Sequence, residues 1–345
     1  MTVRKISICV VLLLMIVPSF TQAQEARNGS VAASYLLIPQ GVRYLSGGGA
    51  VANVNGVESV FWNPAGLVWT EKSINAMFSR RSYIADISIN FAGASIDWEG
   101  FGTIAISLRS FDIGQIPVTT VFSPDGTGEL YEPNIFVLGT TYSKKLTDRT
   151  SVGLTLNYFS ESFTGATASA AAFDVGLQYT SFLNVSNLSI GVVLKNFGTP
   201  MRYGGSKLWR QAEAIDGDRI ITWYKVEAAE FDLPSIIDLA TNYRIDVGES
   251  NSIDIGVTFQ SNQSAQDEYK LMATYTLGDL LAVRGSYLTS IKGEEEVLEN
   301  IFASFSVGGT LNLQAISGVD LSIDYGYIDT DFFDANQVFS LRFGF

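Results

Sequence analysis

The sequence predicts an all-β fold: a fourteen-stranded antiparallel transmembrane β-barrel with an N-terminal plug, or hatch. Three observations predict it. Short segments that alternate apolar with small or polar residues recur from about residue 73 to the end. The connections between them are sorted by parity, short after even-numbered segments and mostly longer after odd-numbered ones. The last segment puts Phe339, Leu341, Phe343 and Phe345 on one face and Ser340, Arg342 and Gly344 on the other. A soluble sheet also alternates, but a soluble sandwich has no reason to sort its loops by parity.

Residues 1–23 read as a secretory signal peptide. Arg4 and Lys5 form a basic start, Ile6 to Val17 an apolar core, and Thr21-Gln22-Ala23 a small-residue cleavage site. The apolar core is shorter than the ~20 residues of a membrane-spanning helix. The one cysteine, Cys9, leaves with this segment, and the chain has no histidine. Disulfides, thiolate metal sites and histidine-based acid–base chemistry are thereby excluded. Lys and Arg number 22 against 35 Asp and Glu, a net charge of −13, which argues against nucleic acid as a partner.

Residues 24–72 alternate poorly. They contain Gly47-Gly48-Gly49-Ala50 and end in Phe61-Trp62-Asn63-Pro64-Ala65-Gly66-Leu67. Pro64 blocks strand pairing, and glycines let a backbone pass close to a wall. The lumen of the barrel is the simplest place for such a segment. The Gly47–Gly49 run lacks the Lys-Ser/Thr pair of a phosphate loop.

The barrel then occupies residues 73–345. Predicted strands span 73–82, 85–98, 101–111, 133–146, 149–160, 168–181, 187–197, 233–246, 251–261, 267–277, 279–289, 298–312, 318–328 and 335–345. Most reach the ~9–11 residues a tilted strand needs to cross a bilayer. The even count suits termini on one side of the membrane. Tyr142, Tyr158, Tyr179, Tyr243, Tyr275, Tyr287 and Tyr327 fall on lipid-facing rows near strand ends, as in interfacial girdles.

Parity assigns Arg109, Lys195, Arg244, Lys270, Arg284 and Arg342 to the lumen, with Asp174, Asp238, Asp254, Asp320 and Asp324. The mixed signs favour cross-strand pairs and a plugged barrel over an open pore ringed by one sign. Glu294–Glu296, Asp216, Asp218, Asp329, Asp331 and Asp334 fall in external loops. The Asp329-Thr330-Asp331 spacing reads as a solvated acidic loop rather than a calcium site. No residues form a catalytic triad, and no carboxylate pair stands out, so no enzyme, cofactor or metal is expected. Phe122, Tyr131, Trp209, Trp223 and Tyr224 in the two longest loops are candidates for a ligand cleft or a protein-binding patch.

The run Leu37-Ile38-Pro39-Gln40-Gly41-Val42-Arg43, the glycine run and Trp62-Asn63-Pro64-Ala65-Gly66-Leu67 together resemble the N-terminal signature of FadL-like outer-membrane proteins. Lys195-Asn196-Phe197-Gly198, followed by Asp232-Leu233-Pro234, is similar to the middle region of the PorV/PorQ branch. The resemblance implies a hatch built on Gly47, Gly48, Gly49, Asn63, Pro64, Ala65 and Gly66. It implies either passive transport of hydrophobic compounds, as FadL moves long-chain fatty acids, or a PorV-like role docking cargo in type IX secretion. Expected partners are outer-membrane lipids, the barrel-assembly machinery that recognises a terminal Phe such as Phe345, and a hydrophobic small molecule or type IX secretion proteins.

Overall fold

The computed structural model describes residues 31–70, 72–212, 222–290, 305–314, 319–330 and 333–345. The predicted leader, the start of the plug, and Asp216, Asp218, Glu294–Glu296 and Asp331 lie outside the described residues.

Fourteen strands close into one antiparallel barrel. They are β1 (Ile74–Ser82), β2 (Ser88–Trp98), β3 (Gly102–Asp112), β4 (Asn134–Lys145), β5 (Thr150–Phe163), β6 (Ala166–Tyr179) and β7 (Leu188–Gly198). The second half is β8 (Ile236–Val247), β9 (Asn251–Asn262), β10 (Glu268–Leu277), β11 (Leu281–Ser290), β12 (Phe305–Asn312), β13 (Leu321–Ile328) and β14 (Asn336–Gly344). Every strand pairs with its sequence neighbours, and β14 pairs with β1 from Asn75↔Gly344 to Arg81↔Val338, so the barrel has no free edge. Phe345 extends that seam, exchanging backbone hydrogen bonds with Ile74 while its ring stays 72 % exposed.

The wall is inverted relative to a soluble protein. Its outer face exposes Ile96, Ile106, Leu138, Leu156, Val192 and Leu271, while Ser79, Ser95, Thr141, Ser151 and Thr155 are buried inside. Backbone groups in hydrocarbon must be satisfied internally, and a closed ladder satisfies all of them. Tyr158, Tyr275, Tyr287 and Tyr327 lie exposed on the outer rows.

Two strand ends depart from the sequence reading. β5 and β6 extend toward each other until only Thr164 and Gly165 separate them, both at positive φ, the requirement of a two-residue hairpin turn. Parity sorting of connections therefore does not hold here and rests chiefly on the two longest, 113–133 and 199–235. Residues 298–304 of the predicted twelfth strand lie outside the described residues. Where β6 meets β7 the register shifts between Phe173 and Val175. Asn196 takes a left-handed φ of 58° there, and its N–H donates to Asp174 Oδ1 at 2.6 Å.

The segment from Val31 to Thr70 packs against inward-facing residues of strands around the wall. It forms short helical turns, and most of its residues are buried. A large apolar cluster joins its Ala33 and Leu36 to Ile89, Phe111, Ile135 and Phe159 of the wall.

Candidate functional site

The lower part of the segment, from Gly47 onward, is held by backbone contacts. Thr258 Oγ1 on β9 donates to Gly47 O at 2.8 Å and accepts from Gly49 N–H at 2.9 Å. Gly48 lies against the Leu271–Met272 peptide of β10. Gly49, at φ +71°, lies so close to β9 that a Cβ would be 2.5 Å from Gly256 Cα, a contact only glycine admits.

Asn63 uses both ends of its amide. Its Oδ1 accepts from Ala65 N–H at 3.0 Å, capping the turn that Pro64 begins. Its Nδ2 donates to Val51 O at 2.7 Å and to Leu177 O on β6 at 3.1 Å. Ala65 O accepts from Ser143 of β4 and Ser151 of β5 at 3.1 and 2.7 Å. Gly66 N–H donates back to Asn63 O. A Cβ on Gly153 of β5 would stand 2.2 Å from the Pro64 carbonyl carbon. Higher up, Ser46, Ser286 of β11 and Ser306 of β12 form a ring of three hydroxyls, each within 2.5–2.9 Å of the other two.

The lumen charges lie on the wall at different depths. Arg109 donates toward Ile38 O and Leu36 O at 3.4 and 3.5 Å, and its guanidinium stands 5.5 Å from the Phe61 ring centre. Lys195 Nζ stands 3.8 Å from the same ring, so Phe61 meets two cations. Asp174 accepts from Asn157 Nδ2 and the Asn196 N–H. Asp238 is buried nearby on β8. Arg342 grips Asp324 through two hydrogen bonds at 2.9 and 3.0 Å, and Arg284 reaches Thr310, which bonds the same carboxylate. Asp254 accepts from Asn242 at 3.1 Å. Lys270 Nζ pairs with Glu268 at 3.2 Å and donates to Gln260 at 2.6 Å.

Two predicted lumen charges sit at the rim instead of in the interior. Arg244 is exposed and pairs with Asp246 at 3.3 Å, and Asp320 pairs with Lys72 at 3.2 Å just before β13. Parity assigns a face but not a depth, and both residues lie at strand ends.

Further charged groups escaped the sequence reading. Arg43 and Glu58 form an ion pair within the N-terminal segment, where Arg43 also donates to Asn55. They are the only charged residues between Val31 and Thr70, one of each sign, a signal available in the sequence. Beside the pair, burial pushes the Tyr44 hydroxyl up to about 12. Others are Glu161 of β5, which accepts from the Tyr203 hydroxyl, Glu268 of β10 beside Lys270, and Arg81 of β1, only 4 % exposed.

A cavity of about 980 Å³ lies between the upper part of the segment and the wall. Tyr35, Leu37, Ile38 and Pro39 form its inner side. Residues of the β1–β2, β3–β4, β9–β10 and β13–β14 connections also line it, which places it at the end of the barrel carrying the longest loops. Its surface is mainly aliphatic and aromatic, with Phe111, Ile113, Ile135, Leu288 and Ile328 contributed by the wall and its loop ends. The five loop aromatics singled out in the sequence do not line it. Phe122 is 96 % exposed, Trp209, Trp223 and Tyr224 are exposed, and Tyr131 is half-buried in a small hairpin with Ile116.

No protein-family model matches the chain, and no curated protein matches it in sequence. Solved structures match its fold. The toluene transporter TbuX of Ralstonia pickettii is similar at a TM-score of 0.53 and 10% identity, over 88% of this chain and 97% of that one. The toluene transporter TodX of Pseudomonas putida gives 0.52 at 11%, over 88% and 97%. The CymD monoaromatic hydrocarbon channel gives 0.50 at 13%, over 88% and 98%. The shared feature is the fold, a closed fourteen-stranded barrel preceded by an N-terminal region.

Proposed function

We propose that this protein is an outer-membrane channel of the FadL-like kind that takes up small hydrophobic molecules passively. The apolar cavity of about 980 Å³ at the long-loop end carries the reading. Its size suits a compact organic ligand, and its mainly apolar surface suits a hydrophobic one, with polar groups such as Gln260, Asn262 and Lys270 at one side to orient it. Residues 24–72 act as the hatch beneath it, and an apolar molecule entering from the loop side comes to rest on Leu37 and Ile38. The toluene transporters that share the fold make a monoaromatic hydrocarbon a reasonable first probe. Native mass spectrometry of the protein in nanodiscs should find toluene or a similar lipophile retained. Failure to retain any lipophile, with uptake unchanged on gene deletion, would sink the proposal.

The exposure of Phe122, Trp209, Trp223 and Tyr224 favours a second reading, in which the outer loops dock a protein. On the PorV-like version of that reading, the protein copurifies with type IX secretion components or with their cargo. A genome without the other translocon components would exclude it.

A further inference from the structure

One stretch of the outer surface is basic on an acidic molecule. Within the 199–235 loop, Trp209–Ala212 and Thr222–Lys225 pair as a two-stranded ribbon. The ribbon and its base, residues 204–212 and 222–226, carry Lys207, Arg210 and Lys225 and no carboxylate. The 113–133 loop, by contrast, carries Asp125, Glu129 and Glu132 with no Lys or Arg, and residues 329–335 carry three aspartates with no Lys or Arg. All three cations of the ribbon are exposed, and none has an ion-pair partner among the described residues. Glu227 and Glu230, which follow the ribbon, both pair with Arg202 instead, at 2.6 and 3.5 Å.

The wall sets the height of the ribbon. Gly204 and Gly205 add to the outer end of β6, opposite Thr167 and Ala166, and the Lys207 N–H donates to Gly165 O in the β5–β6 turn at 3.3 Å. On the outward rows of these two strands the apolar band runs from Leu154 through Leu156 to Tyr158, and from Leu177 through Val175 to Phe173. Beyond it, on the same rows, stand Ser160, Ser162, Thr167 and Ser169. That change from apolar to hydroxylated side chains marks the edge of the hydrocarbon. The ribbon starts past this edge, at the depth of lipid headgroups.

Neither face of the ribbon is covered. Trp209, Trp223 and Lys225 share one face, and Arg210 and Tyr224 the other. Trp209 is 45 % exposed and Trp223 59 %. Arg210 Nη1 donates to Lys207 O at 2.7 Å, which holds the guanidinium back toward the base of the ribbon. Two strands alone have no core, and exposed apolar side chains rimmed by charge mark an interaction surface. Trp and Tyr beside Lys and Arg are the residue set that anchors a protein at a membrane interface.

We infer that this ribbon docks a phosphate-bearing glycolipid of the outer leaflet. The lipid's phosphate oxygens accept hydrogen bonds from Lys207, Arg210 and Lys225, and the indoles lie against its sugar rings and upper acyl carbons. Charge complementarity selects this occupant, since the layer at that depth is dense in phosphate and the ribbon presents cations alone. None of the ribbon residues lines the apolar cavity, so the inference is independent of ligand uptake.

The test offers full-length, delipidated protein equal amounts of bisphosphorylated lipid A and its dephosphorylated form, and counts adducts by native mass spectrometry. The wild type should retain the phosphorylated form about tenfold or more over the other, as three cations near anionic headgroups warrant. Lys207→Gln, Arg210→Gln and Lys225→Gln combined should abolish the preference. Trp209→Ala with Trp223→Ala should weaken retention of both forms and keep the preference. Lys144→Gln, exposed at the opposite end of the barrel, should change nothing. Heat-modifiable migration on gels checks that each variant is folded. Equal retention of the two forms by the wild type overturns the inference, and is the result expected if the ribbon docks a protein. A preference that survives the triple variant, or is lost in Lys144→Gln, overturns the assignment to this ribbon. Displacement of the lipid by millimolar inorganic phosphate at constant ionic strength would mean that the ribbon reads a free anion, which also overturns it.

Discussion

The two halves of the N-terminal segment meet the barrel in opposite ways. From Gly47 to Val68 the segment's backbone comes directly against the wall's, with Gly49 on Gly256 and Pro64 on Gly153, besides the side-chain contacts of Phe61 and its neighbours. From Ser34 to Ser46 the segment presents side chains to a cavity, and every segment residue that lines the cavity comes from this upper half. The difference separates a seat from a floor. Close backbone contacts have no rotamers with which to adjust, so they fix position. Side chains at a cavity edge can repack, so they tolerate a guest.

Removing the whole segment should have the largest effect. Deletion of residues 24–70 should raise conductance several-fold in planar bilayers, and unchanged conductance would argue that the segment does not obstruct the lumen. Gly153→Leu attacks the seat alone. With 2.2 Å between a Cβ and the Pro64 carbonyl carbon, it should cost about 3 kcal/mol or more, read from the urea midpoint. Asn63→Asp keeps the bond from Ala65 N–H but turns two donated bonds into contacts between an anion and carbonyl oxygens. It should cost about 2 kcal/mol by the same measurement.

Leu37→Trp tests the upper half. It should change stability by less than about 1 kcal/mol while abolishing retention of an apolar probe. Retention at wild-type level would mean that the cavity is not where the probe sits. The smallest effects belong to the loop tips. Phe122→Ala and Trp223→Ala should move stability by no more than about 0.5 kcal/mol and leave probe retention unchanged. Lost retention in either would bring the loops into the ligand site.

The wall was legible in the sequence because a strand's period of two is local. Val152, Leu154 and Leu156 announce an outward row without reference to any partner. The face of Arg109 or Asp324 was legible for the same reason. Depth was not, which is why Arg244 and Asp320 come out at the rim. The seat was legible only in its vocabulary. Asn63-Pro64 signals a turn, but its contacts lie with Leu177 and Gly153, residues about a hundred positions away. The cavity was not legible at all, being the space left over when the segment and the wall are both in place. Arg81 illustrates the gap. Parity turns it inward, yet its aliphatic neighbours across the ladder, Ile89 and Val338, are a fact of register rather than of local sequence.

The hydroxyl ring of Ser46, Ser286 and Ser306 sits where the seat gives way to the floor. Three hydroxyls in a ring can pass their hydrogens round in either sense, so two arrangements share one set of oxygen positions. When one member withdraws, the remaining two still hold each other. Displacing Ser46 alone would therefore leave Ser286 bonded to Ser306, and with it a side-chain tie between β11 and β12.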